Sequence, residues 1–271
     1  MTYGLIAGNG RFPLLALESA RRLGHDVVVI GIHEEASRDV EAIGFPTHWI
    51  SLGELGRLIS ILKANGITEL IMAGQVKHAR IFSSIRPDWR LVKLLAALPS
   101  MNTDGLIGGV MRVLADEGIT LRDSTMLLKP LLADEGTMTR CKPSKQQESE
   151  IAYGRRVANA LAGFDVGQSV AICERACVAM EAMEGTDAML RRAANLVHGK
   201  PLTLVKVSRR RKHMLFDVPV AGLDTIGVML ETNTPVMAVD AGRTLLLDRE
   251  KMLRRADDAG LVIAGYHPED R

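Results

Sequence analysis

Within the first 74 residues, three short apolar runs, Tyr3–Ala7, Asp26–Gly31 (DVVVIG) and Glu69–Gly74 (ELIMAG), alternate with two stretches of helical spacing, Pro13–Leu23 and Leu52–Asn65. The middle run carries bulky aliphatic residues at consecutive positions, which suits a strand covered on both faces. Parallel strands need a crossover connection, and the intervening helices supply one. This alternation leaves few folds open and predicts an α/β structure with a parallel sheet. Trp89–Leu98 and Leu106–Glu117 add two more predicted helices.

The chain of 271 residues is long enough for one large domain or two modest ones. Between Lys129 and Glu148 the texture changes: "KPLLADEGTMTRCKPSKQQE" is mostly polar, holds two prolines and follows neither period. It reads as a connection, with the linker at residues 133–148 between an N-terminal domain (1–132) and a C-terminal domain (149–271). The second half is α/β as well. Helices are predicted at Ile151–Leu161, Ala188–Leu196, Asp224–Glu231 and Glu250–Ala259. Strands are predicted at Ser169–Cys173, Cys177–Met180, Leu202–Val207, Val236–Val239, Thr244–Leu247 and Leu261–Ala264.

Several function classes drop out on composition. A net charge of +2 is too small to argue for a nucleic-acid partner. Cys141, Cys173 and Cys177 show no metal-ligand spacing and read as reduced thiols. No apolar run reaches about 18 residues and no leader precedes a cleavage site, so a cytoplasmic protein is expected. Zinc-type H-x-x-x-H and the G-x-S-x-G nucleophile elbow are absent, and the seven histidines are scattered.

"GLIAGNGRFP" places Gly8, Asn9 and Gly10 between a strand and a helix. A dinucleotide fingerprint would need glycine where Pro13 stands, and an acid at the end of the second strand. Gly31, Ile32 and His33 occupy that end, with Glu34 just beyond. The loop is therefore either a plain βα turn or a cradle for a phosphate or sugar hydroxyl, but not a nicotinamide site.

Two stretches of the second half carry sharper signals. Glu184, Gly185, Thr186 and Asp187 open a predicted helix, with Arg191 and Arg192 one turn later. They either cap the helix or hold a phosphate or a cation. In "RRRKHMLFDVP", four basic residues precede His213, and Asp217 stands alone among Phe216, Val218 and Pro219. Such an acid is either a paired structural carboxylate or a poised catalytic group.

Taken together, "GLIAGNGRFP", "MAGQV" (72–76), "NTDGLI" (102–107), "GQSVAICERACVAMEAMEGTDAMLRR" (167–192), "FDVP" and "AVDAGRTLLLD" (238–248) resemble a known family over nearly the whole chain. It is the UDP-2,3-diacylglucosamine pyrophosphatases of lipid A synthesis that lack metallophosphoesterase motifs. The resemblance implies a Rossmann-like N-terminal domain and a distinct α/β C-terminal domain, with a ligand cleft between them. It implies Mg²⁺-dependent hydrolysis, with water attacking the α-phosphorus to give UMP and 2,3-diacylglucosamine 1-phosphate. Asp217 takes the catalytic position. Gly8, Asn9, Gly10, Gln75, Asn102, Asp104, Gly185, Thr186 and Lys206 are expected to bind substrate, and Glu184 and Asp187 to hold the metal. A diacylated substrate further implies transient contact with the inner membrane surface, and a homo-oligomer is open. Between Arg209 and Leu215 the chain departs from the family's Lys-Pro-x-Gln-Asp-x-Arg pattern, with Lys212 and His213 at the Gln-Asp positions and Leu215 at the Arg. Two alternatives stand beside this reading: another nucleotide-sugar enzyme, and a non-catalytic nucleotide-lipid binding protein.

Overall fold

The computed structural model describes residues 2–74, 87–98, 103–164, 166–209 and 218–268. Residue contacts divide them into two compact units, one ending at Leu128 and the other starting at Lys129.

The first unit is a five-stranded, fully parallel sheet. Its strands are β1 (Thr2–Ala7), β2 (Asp26–Ile32), β3 (Thr47–Ile50), β4 (Glu69–Ala73) and β5 (Thr120–Leu121), in the spatial order β3-β2-β1-β4-β5. Helices α1 (Phe12–Arg22), α2 (Asp39–Ala42), α3 (Leu55–Ala64), α4 (Trp89–Ala97) and α5 (Thr103–Asp116) make the connections. This is the strand order of a doubly wound sheet. The three strands expected from sequence are present, and the register runs Tyr3 to Val27 and Tyr3 to Glu69. β3 (THWI) was not expected: four residues with only Ile50 buried leave no hydrophobic period to read. The core is aliphatic, with Ile30, Leu62, Leu70 and Leu114 almost fully enclosed.

The second unit is built on a six-stranded mixed sheet. It contains β6 (Gly136–Thr137), β7 (Ser169–Cys173), β8 (Ala176–Met180), β9 (Thr203–Lys206), β11 (Val236–Asp240) and β13 (Val262–Tyr266), ordered β6-β13-β11-β9-β7-β8. β9, β11 and β13 are parallel, while β6, β7 and β8 each run antiparallel to an inner neighbour. β10 (Val220–Ala221) and β12 (Leu245–Leu246) form a separate parallel pair. Consecutive side chains on each inner strand point to opposite faces. Leu204, Met237 and Ile263 therefore join one core with α7 (Thr186–Leu196), α8 (Leu223–Glu231) and α9 (Arg249–Asp258). Val205, Ala238 and Val262 join a second core under α6 (Lys145–Gly163). The result is helix, sheet and helix in three layers.

The expected linker at 133–148 is part of this second unit. Ala133 N–H donates to the Thr244 carbonyl at 2.8 Å, and Met138 N–H to that of Ile263 at 2.8 Å. β6 pairs with β13, and Ser144 caps α6 in a reciprocal box with Gln147. A two-residue edge strand flanked by polar residues has too little hydrophobic pattern to separate it from a loop.

Candidate functional site

At the head of the first unit the strand order reverses, because β2 and β3 lie to one side of β1 while β4 and β5 lie to the other. Doubly wound sheets hold ligands beyond the carboxyl ends of the strands at such a point. The Gly8–Gly10 turn leaves β1 there, and Gly74 leaves β4. Gly8 N–H donates to the Ala73 carbonyl at 2.8 Å. Gly74 has φ +89°, and a side chain on it would stand 2.6 Å from the Asn9 carbonyl oxygen. Gly10, at φ +93°, feeds into α1, whose N-cap Arg11 makes no side-chain cap. The leading N–H groups of α1 thus carry the partial positive charge of a helix N-terminus beside a loop of glycines.

The acid missing from the end of β2 arrives by a different route. Glu35, three residues past that strand, is buried and accepts a hydrogen bond from Asn9 Nδ2 at 3.4 Å. Glu34 instead accepts from Leu52 N–H at 3.1 Å. In doubly wound folds an acid after the second strand takes ribose hydroxyls. Glu35 was not singled out from sequence, since its register beyond the strand depends on the turn at 33–35.

The second unit gathers side chains rather than backbone. The carboxyl ends of β9 and β11, the start of β7, the end of β8 and the N-terminus of α7 meet at one edge. Lys206 ends β9 and is 8% exposed. Its Nζ donates to Thr186 Oγ1 at 3.1 Å, and Thr186 donates to Glu181 Oε1 at 3.0 Å. Ser169 Oγ, fully buried, lies 3.2 Å from the same threonine oxygen. Gly185 is the N-cap of α7, with φ +85° and no side-chain cap, so neither Thr186 nor Asp187 caps this helix. Two of the expected substrate residues, Thr186 and Lys206, are in direct contact. Glu181 and Ser169 were missed, because nothing in their spacing marks them before the strands are paired.

Glu184, expected to hold a metal, is engaged elsewhere. Its carboxylate pairs with Arg192 at 2.6 Å and accepts Ala182 N–H at 3.0 Å. A hydrogen bond from its own backbone N–H, followed by Arg192, holds its carboxyl below the usual range. Asp187 is half-buried in the first turn of α7. Among the described residues no group of three His, Cys, Asp or Glu side chains converges as a metal site. Asp217, Gln75 and Asn102 lie outside the described residues, and only the backbone of Asp104, in α5, is described.

One strand over, Asp240 ends β11 in a buried network. Arg155 Nη1 meets Asp240 Oδ1 at 2.8 Å, and Arg155 Nη2 donates to the His267 carbonyl at 2.7 Å. Ser208 donates to Asp240 Oδ2 through both its backbone N–H (2.7 Å) and its hydroxyl (2.9 Å). This network fixes the chain just after Lys206. A lone acid closing the apolar run VMAVD was a readable signal for it.

Comparison with known proteins gives this arrangement a family. Models of the LpxI N-terminal domain and the LpxI C-terminal domain match residues 2–131 and 134–264. The UDP-2,3-diacylglucosamine pyrophosphatase LpxI of Caulobacter vibrioides is 29% identical over 99% of this chain and 98% of its own length. Likeness to solved structures is loose. A nucleoside-diphosphate-sugar epimerase from Pseudomonas aeruginosa superposes with a TM-score of 0.32 at 12% identity, covering 100% of this chain and 89% of the epimerase. A biotin carboxylase from Campylobacter jejuni gives 0.28 at 11% identity, covering 73% of this chain and 43% of the carboxylase. Superpositions this loose carry no argument. The two family models, end to end along the chain, do: this protein belongs to the LpxI family.

Proposed function

We propose that this chain hydrolyses the pyrophosphate of UDP-2,3-diacylglucosamine, with water attacking the α-phosphorus. The new bond joins the water oxygen to that phosphorus, and the bond to the bridging oxygen breaks. UMP and 2,3-diacylglucosamine 1-phosphate leave, and the proton lost from water goes to an acceptor. The observation that carries this reading is the full-length match to a pyrophosphatase of that name.

The chemistry asks for cations at the phosphates, donors for their oxygens and a proton acceptor. Lys206, buried with its Nζ on Thr186 Oγ1, offers a cation in the second unit, and the uncapped start of α7 at Gly185 offers N–H donors. Asp217 is assigned the acceptor role by its match to the family position. In the first unit Gly8, Asn9 and Gly10 are the candidates for nucleotide contacts, with Gln75, Asn102 and Asp104 carried by the family match alone. Magnesium is usually held by one or two carboxylates together with substrate phosphates, which the residues present can provide through Asp187. Glu184 would have to give up Arg192 to join it. When bound, the ion neutralises phosphate charge.

The lipid half of the substrate has a matching feature. Phe164 is 81% and Met183 74% exposed, and Val166 and Met180 are also exposed. They flank the two segments that meet where Gly167 packs on the Glu181 carbonyl. Exposed apolar side chains next to the phosphate-binding edge suit acyl chains or the cytoplasmic face of a membrane. No helix among the described residues is long and apolar enough to cross one.

Turnover of UDP-2,3-diacylglucosamine in ¹⁸O-water, with and without Mg²⁺, tests the reading. Label should appear in UMP, and Asp217→Ala should lose roughly 10²–10⁴-fold in kcat while keeping its melting temperature. Label in the lipid phosphate would refute attack on the α-phosphorus. Wild-type rates in Asp217→Ala would remove that residue from the chemistry.

A further inference from the structure

The polar cluster at the edge of the second sheet has a bonding pattern that decides which of its groups can meet a ligand. A carboxylate only accepts, so the single hydroxyl proton of Thr186 goes to Glu181 Oε1. The two lone pairs of Thr186 Oγ1 then receive Lys206 Nζ at 3.1 Å and the Ser169 hydroxyl at 3.2 Å. Thr186 is saturated by these three bonds. Its hydroxyl bridges its neighbours and has no capacity left for a phosphate.

The remaining capacity lies at the two ends of the bridge. Lys206 uses one N–H on Thr186, and among the described residues its other two are not taken up. Glu181 is 9% exposed, and its Oε2 is buried with no hydrogen-bond partner among the described residues. An orphaned carboxylate oxygen in such a place is costly unless something fills it. Its position is held from behind. Gly167 packs so closely on the Glu181 backbone that a side chain there would stand 2.0 Å from the carbonyl oxygen, and Glu181 N–H is tied to the Ser169 carbonyl at 2.9 Å. The pair sorts ligands by polarity: phosphate oxygens are drawn to Lys206, and O–H groups to Glu181. A second cation on Oε2 is disfavoured by the nearby ammonium, and no third acid or histidine converges there among the described residues.

We propose that Glu181 faces the bound reactants and orients a water through Oε2, beside a phosphate held by Lys206, with Thr186 as the rigid bridge between them. The water in this inference rests on the pyrophosphatase reading above; the anion subsite does not.

Two readouts on the full chain separate this from a merely structural role: calorimetric binding of inorganic pyrophosphate, and kcat on UDP-2,3-diacylglucosamine. Glu181→Gln keeps an oxygen for Thr186 but replaces the free acceptor with a donor and removes a negative charge. It should bind pyrophosphate about 3–10-fold more tightly and turn over roughly 10²-fold more slowly. Lys206→Met should weaken pyrophosphate roughly 10–100-fold. Glu174→Gln, in the hairpin turn at the opposite end of β7, should change neither. If Glu181→Gln does not fold, Glu181→Asp serves, keeping the charge and the pyrophosphate affinity while withdrawing the oxygen and slowing turnover. Weaker pyrophosphate binding together with undiminished turnover per folded molecule would overturn the proposal, as would a wild-type chain that binds no pyrophosphate. A chain that shows the expected binding pattern but hydrolyses no UDP-2,3-diacylglucosamine would keep the subsite and bring down the functional reading instead.

Discussion

The two units present different materials at the ends of their strands. The first presents backbone: Gly8, Gly10 and Gly74 bring two strand ends together so closely that no side chain fits at Gly74. The second presents buried side chains: Lys206, Thr186, Ser169 and Glu181 in one cluster, and Arg155, Asp240 and Ser208 in another. A backbone cradle tolerates varied oxygens and costs little electrostatically. A buried charged cluster is specific but expensive, because each charge removed from water must find a partner. Binding that needs only recognition suits the first unit, and chemistry that needs oriented charge suits the second.

That contrast can be broken experimentally, since both tryptophans, Trp49 and Trp89, lie in the first unit. Tryptophan emission therefore follows the first unit, whereas far-UV circular dichroism follows both. The largest effect is expected from Arg155→Met, which strands the Asp240 carboxylate in the interior and should cost about 3–5 kcal/mol. The loss should appear in the dichroism transition and leave the emission transition in place. A shift of both together would mean that the units unfold as one block.

Gly74→Ala comes next. Its Cβ would meet backbone at 2.6 Å, and φ is +89°, so a loss of roughly 2–3 kcal/mol is expected, now in the emission transition. Gly10→Ala sharpens the point, because φ is +93° there but nothing lies within 4 Å. Only the left-handed backbone is penalised, by about 1 kcal/mol. Equal losses at the two glycines would show that strain at φ, and not loop-on-loop packing, sets the cost. The smallest effect concerns the thiols. Cys141 is exposed, whereas burial pushes the Cys173 and Cys177 thiols up and leaves less thiolate at any given pH. One thiol should react promptly with a disulfide reagent near pH 8, and Cys141→Ser should remove that fast phase with both unfolding transitions unmoved.

The same contrast explains what could be read before folding. Glycines at a strand–helix junction announce themselves, so the Gly8–Gly10 loop was legible, as were β7 at Ser169–Cys173 and the long aliphatic strands. Short edge elements were not: β3 and β6 bury too few side chains to impose a period. Thr186 and Lys206 were flagged, but their relation was hidden, since they are 20 residues apart and meet only through strand pairing. Glu181 was invisible for the same reason, and Thr186 proves to be a bridge within the cluster. Glu184, two residues before Thr186, turns its carboxylate to Arg192, a pairing across eight residues that spacing alone does not mark.

The strand order of the second sheet also has a consequence for synthesis on the ribosome. β13 lies between β6 and β11, yet follows every other strand of that sheet in the chain. Thr139, just after β6, receives Ile263 N–H across 124 residues. At translation rates of about 5–20 residues per second, the β6 segment waits roughly 6–25 s for its neighbour to emerge. The five strands of the first sheet are complete by Leu121, so that unit can finish folding while the second is still open. A nascent chain paused between Asp240 and Val262 would hold a finished parallel sheet tethered to an unclosed one, with the β11 edge bare. Chaperone capture or aggregation should concentrate in that window.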